Sequence, residues 1–178
     1  MLEEIHIGGH SKGTLQKILE ARPGELHGII ITNHSRSFPD GIADKMLSHI
    51  HLVFDDINHK LSPAHVMPAR EHIEAALEFA KDKKAVVVAC HAGVSRSSAI
   101  AYLIASRAWG VKPALGALKK GTHWPNPTVI KIGDTLFPGE GIMETVMEWT
   151  NNNSMFLIDG NDPPLCDVPV EIEEIKLK

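Results

Sequence analysis

Apolar residues along the chain come in short bursts whose spacing alternates between two periods. Glu4-Ile5-His6-Ile7 alternates at period two and predicts a short strand, closed by Gly8-Gly9. A helix is predicted from about Thr14 to Ala21, ended by Pro23-Gly24. Gly28-Ile29-Ile30-Ile31-Thr32 is a continuous β-branched run, the pattern of a strand buried on both faces. A polar loop with Pro39-Asp40-Gly41 follows, and His49 to Phe54 predicts another strand that runs straight into Asp55-Asp56. From Pro68 to Lys81, Ile73, Ala76, Leu77 and Phe79-Ala80 recur at helical spacing among Glu71, Glu74 and Glu78, which predicts an amphipathic crossover helix. Ala85-Val86-Val87-Val88-Ala89 predicts a third buried strand, and Arg96 to Ala108 an apolar helix stopped by Gly110.

Strands that alternate with helices predict an α/β fold: a central mixed, largely parallel sheet flanked by helices. Three further helices are predicted over Ala114 to Lys120, Pro127 to Phe137 and Gly141 to Trp149. Residues 1–150 then form one domain, with 151–178 an extension packed on it. In that extension Met155 to Ile158 and Val168 to Ile175 have strand-like content around Asp162-Pro163-Pro164.

Composition narrows the classes. With 178 residues, 43% hydrophobic and 22% charged, the chain can bury one ordinary core. A net charge of −4 leaves no broad electrostatic footprint for nucleic acid, so any anion recognition is local. No apolar run has the length of a bilayer span, and the Met-Leu-Glu-Glu start lacks the regions of a signal peptide, so no membrane association and a cytoplasmic location are expected. Of the two cysteines, Cys166 lies between Leu165 and Asp167 and is read as a packing residue. The eleven histidines are scattered without metal-ligand spacing, so neither metal nor cofactor is expected.

The chemistry concentrates where the third buried strand meets its helix. Cys90-His91-Ala92-Gly93-Val94-Ser95-Arg96 joins the two, and a loop that enters a helix N-terminus directs free backbone N–H groups and the positive end of the helix dipole at one point. Ala92 and Gly93 add little bulk, and Gly93 permits the backbone angles that let amides converge. His91, Ala92, Gly93, Val94, Ser95 and Arg96 are therefore the expected phosphate cradle. Cys90 lies on its floor, where the positive field favours a thiolate. Arg96 offers a planar fork for two phosphoryl oxygens, and Ser95 or Ser97 a hydroxyl donor. A lone buried cysteine is ordinarily just a small apolar residue; here Gly at the third following position, Arg at the sixth and Ser next point to anion binding.

The run Cys90 to Ser97 resembles the Cys-x5-Arg-Ser/Thr loop of the cysteine-dependent protein tyrosine and dual-specificity phosphatases, and Ala99-Ile100-Ala101-Tyr102-Leu103-Ile104 is similar to the dual-specificity branch. The resemblance spans roughly Leu26 to Gly110, and Trp124-Pro125-Asn126-Pro127 is similar to bacterial tyrosine-phosphatase-like proteins. It implies a phosphorylated protein or small phosphate ester as substrate. It also implies a two-step reaction: Cys90 accepts the phosphoryl group, an upstream aspartic acid protonates the leaving oxygen, and that acid then activates water. Asp56 is chosen for this role over Asp55, from its place after a strand and its spacing to the crossover helix. The family usually has His before the cysteine, where this chain has Ala89. Two rival readings stay open, a catalytically silent phosphate-binding module and a rhodanese-like sulfurtransferase. The shorter loop of rhodaneses disfavours the latter. Oligomeric state is not legible.

Overall fold

The computed structural model describes residues 1–60 and 62–153. Four strands form one sheet: β1 (Glu4–Gly9), β2 (His27–Thr32), β3 (Ser48–Val53) and β4 (Ala85–Cys90), in the order β1-β4-β2-β3. Every pairing is parallel, so among the described residues the mixed part of the expected sheet has no member. Parallel strands need crossover connections: α1 (Thr14–Ala21) lies between β1 and β2 and α2 (Arg70–Ala80) between β3 and β4, while the connection from β2 to β3 holds only a 3₁₀ turn, Ala43–Lys45. Beyond β4 come α3 (Arg96–Trp109), α4 (Pro127–Leu136) and α5 (Ile142–Asn153).

Period-two alternation divides the core between the two faces of the sheet. Val86, Val88 and Cys90 of β4 face the layer that contains Ile73, Leu77, Ile100, Leu103 and Ile130 from α2, α3 and α4. Ala85, Val87 and Ala89 face Leu15, Ile18 and Leu19 of α1. Every residue of β4 is buried, as its unbroken apolar run requires. Cys90 and Ala89 thus lie on opposite faces, and Ala89 belongs to the apolar packing beneath α1.

Within the described residues the predicted elements form with small changes of boundary, except one. The helix expected over Ala114 to Lys120 is a 3₁₀ turn, Pro113–Ala117, and the backbone is extended by Leu118. Gly116 lowers helix propensity in its middle, and the chain then bends so that Lys119 N–H can donate to Nδ1 of His123 at 2.9 Å. The strand-like stretches Met155 to Ile158 and Val168 to Ile175, the packing of 151–178 and the role of Cys166 lie outside the described residues, save for the last turn of α5. Among the described residues, no helix is long and apolar enough to cross a membrane.

Candidate active site

β4 delivers Cys90 to the carboxyl edge of the sheet, and the chain passes through Gly93, at φ 76°, into the first turn of α3. The carbonyls of this loop are held outward by neighbours. His10 N–H donates to Cys90 O at 3.0 Å and Ser11 N–H to His91 O at 3.0 Å. On the other side Trp124 N–H donates to Val94 O at 3.0 Å and Asn126 N–H to Ser95 O at 3.2 Å. In a trans peptide the N–H points opposite to the carbonyl of the same plane. Tying those four carbonyls outward therefore turns the amides of His91, Ala92, Ser95 and Arg96 the other way, the arrangement of an anion cradle.

Close packing makes this geometry depend on glycine. A Cβ on Gly93 would lie 2.8 Å from Gly8 C and Gly9 N, and one on Gly9 would lie 2.6 Å from the Ala92 carbonyl. The Gly8-Gly9 pair, read from sequence only as the end of a strand, is the seat on which the loop rests.

Cys90 is buried, and its Sγ lies 3.1 Å from Oγ of Ser97, itself fully buried at the start of α3. Arg96 is 2% exposed; one terminal N–H donates to Phe54 O at 2.7 Å, while Nε has no hydrogen-bond partner among the described residues. A buried guanidinium N–H without an acceptor is costly in a finished structure. Its position at the helix entry suits an incoming oxyanion.

The two acids after β3 part company. Asp55 is buried and turned away from the loop: its carboxylate accepts from Val66 N–H at 2.8 Å and lies 2.8 Å from Nδ1 of His34. Burial alone would raise its pKa, but the hydrogen bonds from Val66 and His34 outweigh it and hold the group below the usual carboxylate range. Asp56 is on the loop side. Its Oδ1 accepts from Ser95 Oγ at 2.7 Å and from Asn126 Nδ2 at 2.8 Å, and its Oδ2 is 3.8 Å from Arg96 Nε. Its side chain retains 37% exposure.

Cys90, Arg96, Ser97, Ser95 and Asp56 are therefore gathered in one place. His91 is exposed at the mouth, its ring edge-on to His10 with centroids 5.4 Å apart. Partial desolvation against the loop, then the positive charge of Arg36 and Arg96, lowers the pKa of His91. His10 is lowered by burial first, despite its contact with the Ile31 carbonyl. Sequence reasoning missed His10, Ser11 and Asn126 as members of the site. For Asn126 a signal existed, because Asn before Pro is a strong helix start, although it names no partner. Among the described residues, no group of three or more His, Cys, Asp and Glu is placed to hold a metal ion.

No family model and no curated protein matches the sequence. Solved structures do match. DUSP15 aligns over 83% of this chain and 92% of its own, with 16% identity and a TM-score of 0.53. The human tyrosine phosphatase-like serine/threonine/tyrosine-interacting protein aligns over 84% and 92%, with 17% identity and a TM-score of 0.52. Human DUSP28 aligns over 82% and 94%, with 19% identity and a TM-score of 0.50. A four-stranded parallel sheet that carries a cysteine loop into a helix, matched along nearly the whole length of these neighbours, gives this chain the fold of the cysteine-dependent tyrosine and dual-specificity phosphatases.

Proposed function

We propose that the protein is a phosphomonoester hydrolase that works without metal through a phosphocysteine intermediate. The observation that carries this reading is the buried Nε of Arg96, which among the described residues has no hydrogen-bond partner, set at the end of a loop that rises from Cys90 and turns its amides inward. An oxyanion in that cradle satisfies the guanidinium and the amides together.

In the first step Sγ of Cys90 attacks phosphorus, the bond to the ester oxygen breaks, and Asp56 gives its proton to the departing oxygen. In the second step the Asp56 carboxylate takes a proton from water, whose oxygen attacks phosphorus and releases Sγ. Ser97 Oγ, 3.1 Å from Sγ, donates to the departing sulfur. Arg96 and the loop amides bind the equatorial oxygens as charge builds on them. The reading takes as substrate a phosphorylated protein or a small phosphate ester.

Hydrolysis of phenyl phosphate with EDTA present tests this. Cys90→Ser and Arg96→Ala are expected to abolish turnover, and Asp56→Asn to lower it about 100-fold or more, the usual share of a general acid. Turnover that needs metal and survives Cys90→Ser overturns the proposal. A second reading, a module that binds phosphate without hydrolysing it, draws on Ala89, whose side chain is packed under α1 where the family usually has His. Phosphopeptide binding by wild type, with no release of phosphate, favours that reading instead.

A further inference from the structure

Asn126 is 2% exposed and uses both ends of its carboxamide. Its Oδ1 accepts from Thr128 N–H at 3.0 Å and Val129 N–H at 3.1 Å and so caps α4, while its Nδ2 donates to Oδ1 of Asp56 at 2.8 Å. The amide cannot be reversed. Turned over, its NH2 would face two backbone N–H donors and its oxygen would face a carboxylate, three mismatches in a buried place. The main chain is fixed as well, since Asn126 N–H donates to Ser95 O of the phosphate loop. Thr128 Oγ1 adds a second tie from α4 to the acid loop through Asn58.

Ser95 donates to the same oxygen of Asp56 at 2.7 Å. Oδ1 thus accepts from both, and toward the Asn126 amide it can only accept, whereas Oδ2 faces Arg96 Nε at 3.8 Å and, among the described residues, accepts from neither. We propose that Asn126 is a positioning residue for Asp56: with Ser95 it reserves Oδ1 as acceptor, so that the transferable proton resides on Oδ2, the oxygen beside Arg96. This rests on the phosphatase reading above. When the proton passes from Oδ2 to the ester oxygen, the O–H electron pair stays on Oδ2, and Asn126 and Ser95 then steady the carboxylate formed.

Two esters separate positioning of the acid from support of the fold. Phenyl phosphate has a poor leaving group that needs a proton; 2,4-dinitrophenyl phosphate has a good one that does not. Asn126→Ser keeps a cap of equal quality and removes the donor. It is expected to lower kcat/KM on phenyl phosphate, which covers only the steps up to loss of the phenol, about tenfold or more, with a deficit in kcat/KM on the dinitrophenyl ester at least about tenfold smaller. Added to Asp56→Asn, it is expected to cost nothing further on phenyl phosphate, because both changes disable one proton transfer. Asn126→Asp also keeps the cap, but the introduced carboxyl can donate only when protonated, so its deficit on phenyl phosphate narrows as pH falls. Equal losses on the two esters, or losses that add to those of Asp56→Asn, overturn the inference while the phosphatase reading stands. Wild type no faster than Cys90→Ser on both esters overturns the phosphatase reading, and the inference with it.

Discussion

Two segments far apart in sequence strap the loop from Cys90 to Arg96 from opposite sides, and they do so by different means. On one side Gly9, His10 and Ser11, at the end of β1, meet the loop backbone to backbone, with two N–H donors and a glycine contact too tight for any Cβ. On the other, Trp124 to Asn126 also give two N–H donors, but side chains continue the connection: Asn126 and Ser95 converge on Asp56. The first strap specifies where the loop lies. The second also connects the loop to Asp56, so on the proposed reading it couples geometry to chemistry. Side-chain changes should therefore be tolerated on the β1 side unless they add atoms at glycine, and should alter chemistry on the α4 side.

The largest effect expected from this contrast is at Gly9. A methyl group there meets the Ala92 carbonyl carbon and oxygen at 2.6 Å and Gly93 N at 2.9 Å, and backbone on both sides cannot swing away. Gly9→Ala is expected to destabilise the fold by about 1–3 kcal/mol, the range for overpacking. On the proposed reading turnover of phenyl phosphate should fall by more than about tenfold, since a misplacement of about 1 Å at the reacting groups can cost about 100-fold. Gly116→Ala is the control: nothing lies within 4 Å of the added carbon, and both stability and rate should be retained. Urea melts and steady-state rates check the pair. Wild-type turnover by Gly9→Ala would show that the β1 strap does not set the loop.

The α4 strap has an acid-sensitive foot. His123 is buried, and its Nδ1 accepts from Lys119 N–H just before the strap begins. Burial, aided by the Lys119 charge, pushes its pKa down to about 4. The folded state therefore holds this imidazole neutral while the unfolded chain, near 6.5, takes up a proton. Between those values the unfolded state binds more protons, so stability rises with pH through this window and is fully present above about 6.5. The full swing amounts to at most about 3 kcal/mol. His123→Gln, an uncharged replacement, should flatten the dependence of the urea midpoint between pH 4 and 6.5. An unchanged slope would place the acid sensitivity elsewhere.

What could be read from sequence follows the reach of each interaction. Strand β4, the loop and α3 are contiguous, and period, glycine placement and helix start all lie within Ala85 to Trp109, so Cys90, Arg96 and Ser97 were legible together. Asp56 was legible one step further out, because a parallel sheet brings strand ends to one edge and so carries the end of β3 to the loop. The straps were not. Ser11 meets His91 across 80 positions and Asn126 meets Asp56 across 70, and no local pattern encodes such a pairing. Gly8-Gly9 read as a strand end for the same reason, since the contact that demands glycine comes from another strand's loop. The 3₁₀ turn at Pro113–Ala117 fell short of the helix expected over Ala114 to Lys120 because a bond to His123 draws the following chain away.

The smallest predicted effect is the one that most sharpens the contrast. Ser11 touches the loop twice, through its N–H at 3.0 Å and its Oγ at 2.6 Å, both to the carbonyl of His91. Ser11→Ala removes only the second contact. That hydroxyl is exposed, so water replaces it as a donor and no buried acceptor is orphaned. The N–H that orients the carbonyl remains, and the amide of Ala92 should stay turned inward. The expected cost is below about 0.5 kcal/mol, with turnover within about twofold of wild type. Asn126→Ser removes one donor too, yet should cost about tenfold on phenyl phosphate, because its partner is a side chain that on the proposed reading carries a proton rather than a carbonyl already held by backbone. Comparable losses for the two serine and asparagine changes would mean that both straps act on the loop alone, and the division between placement and chemistry would fall.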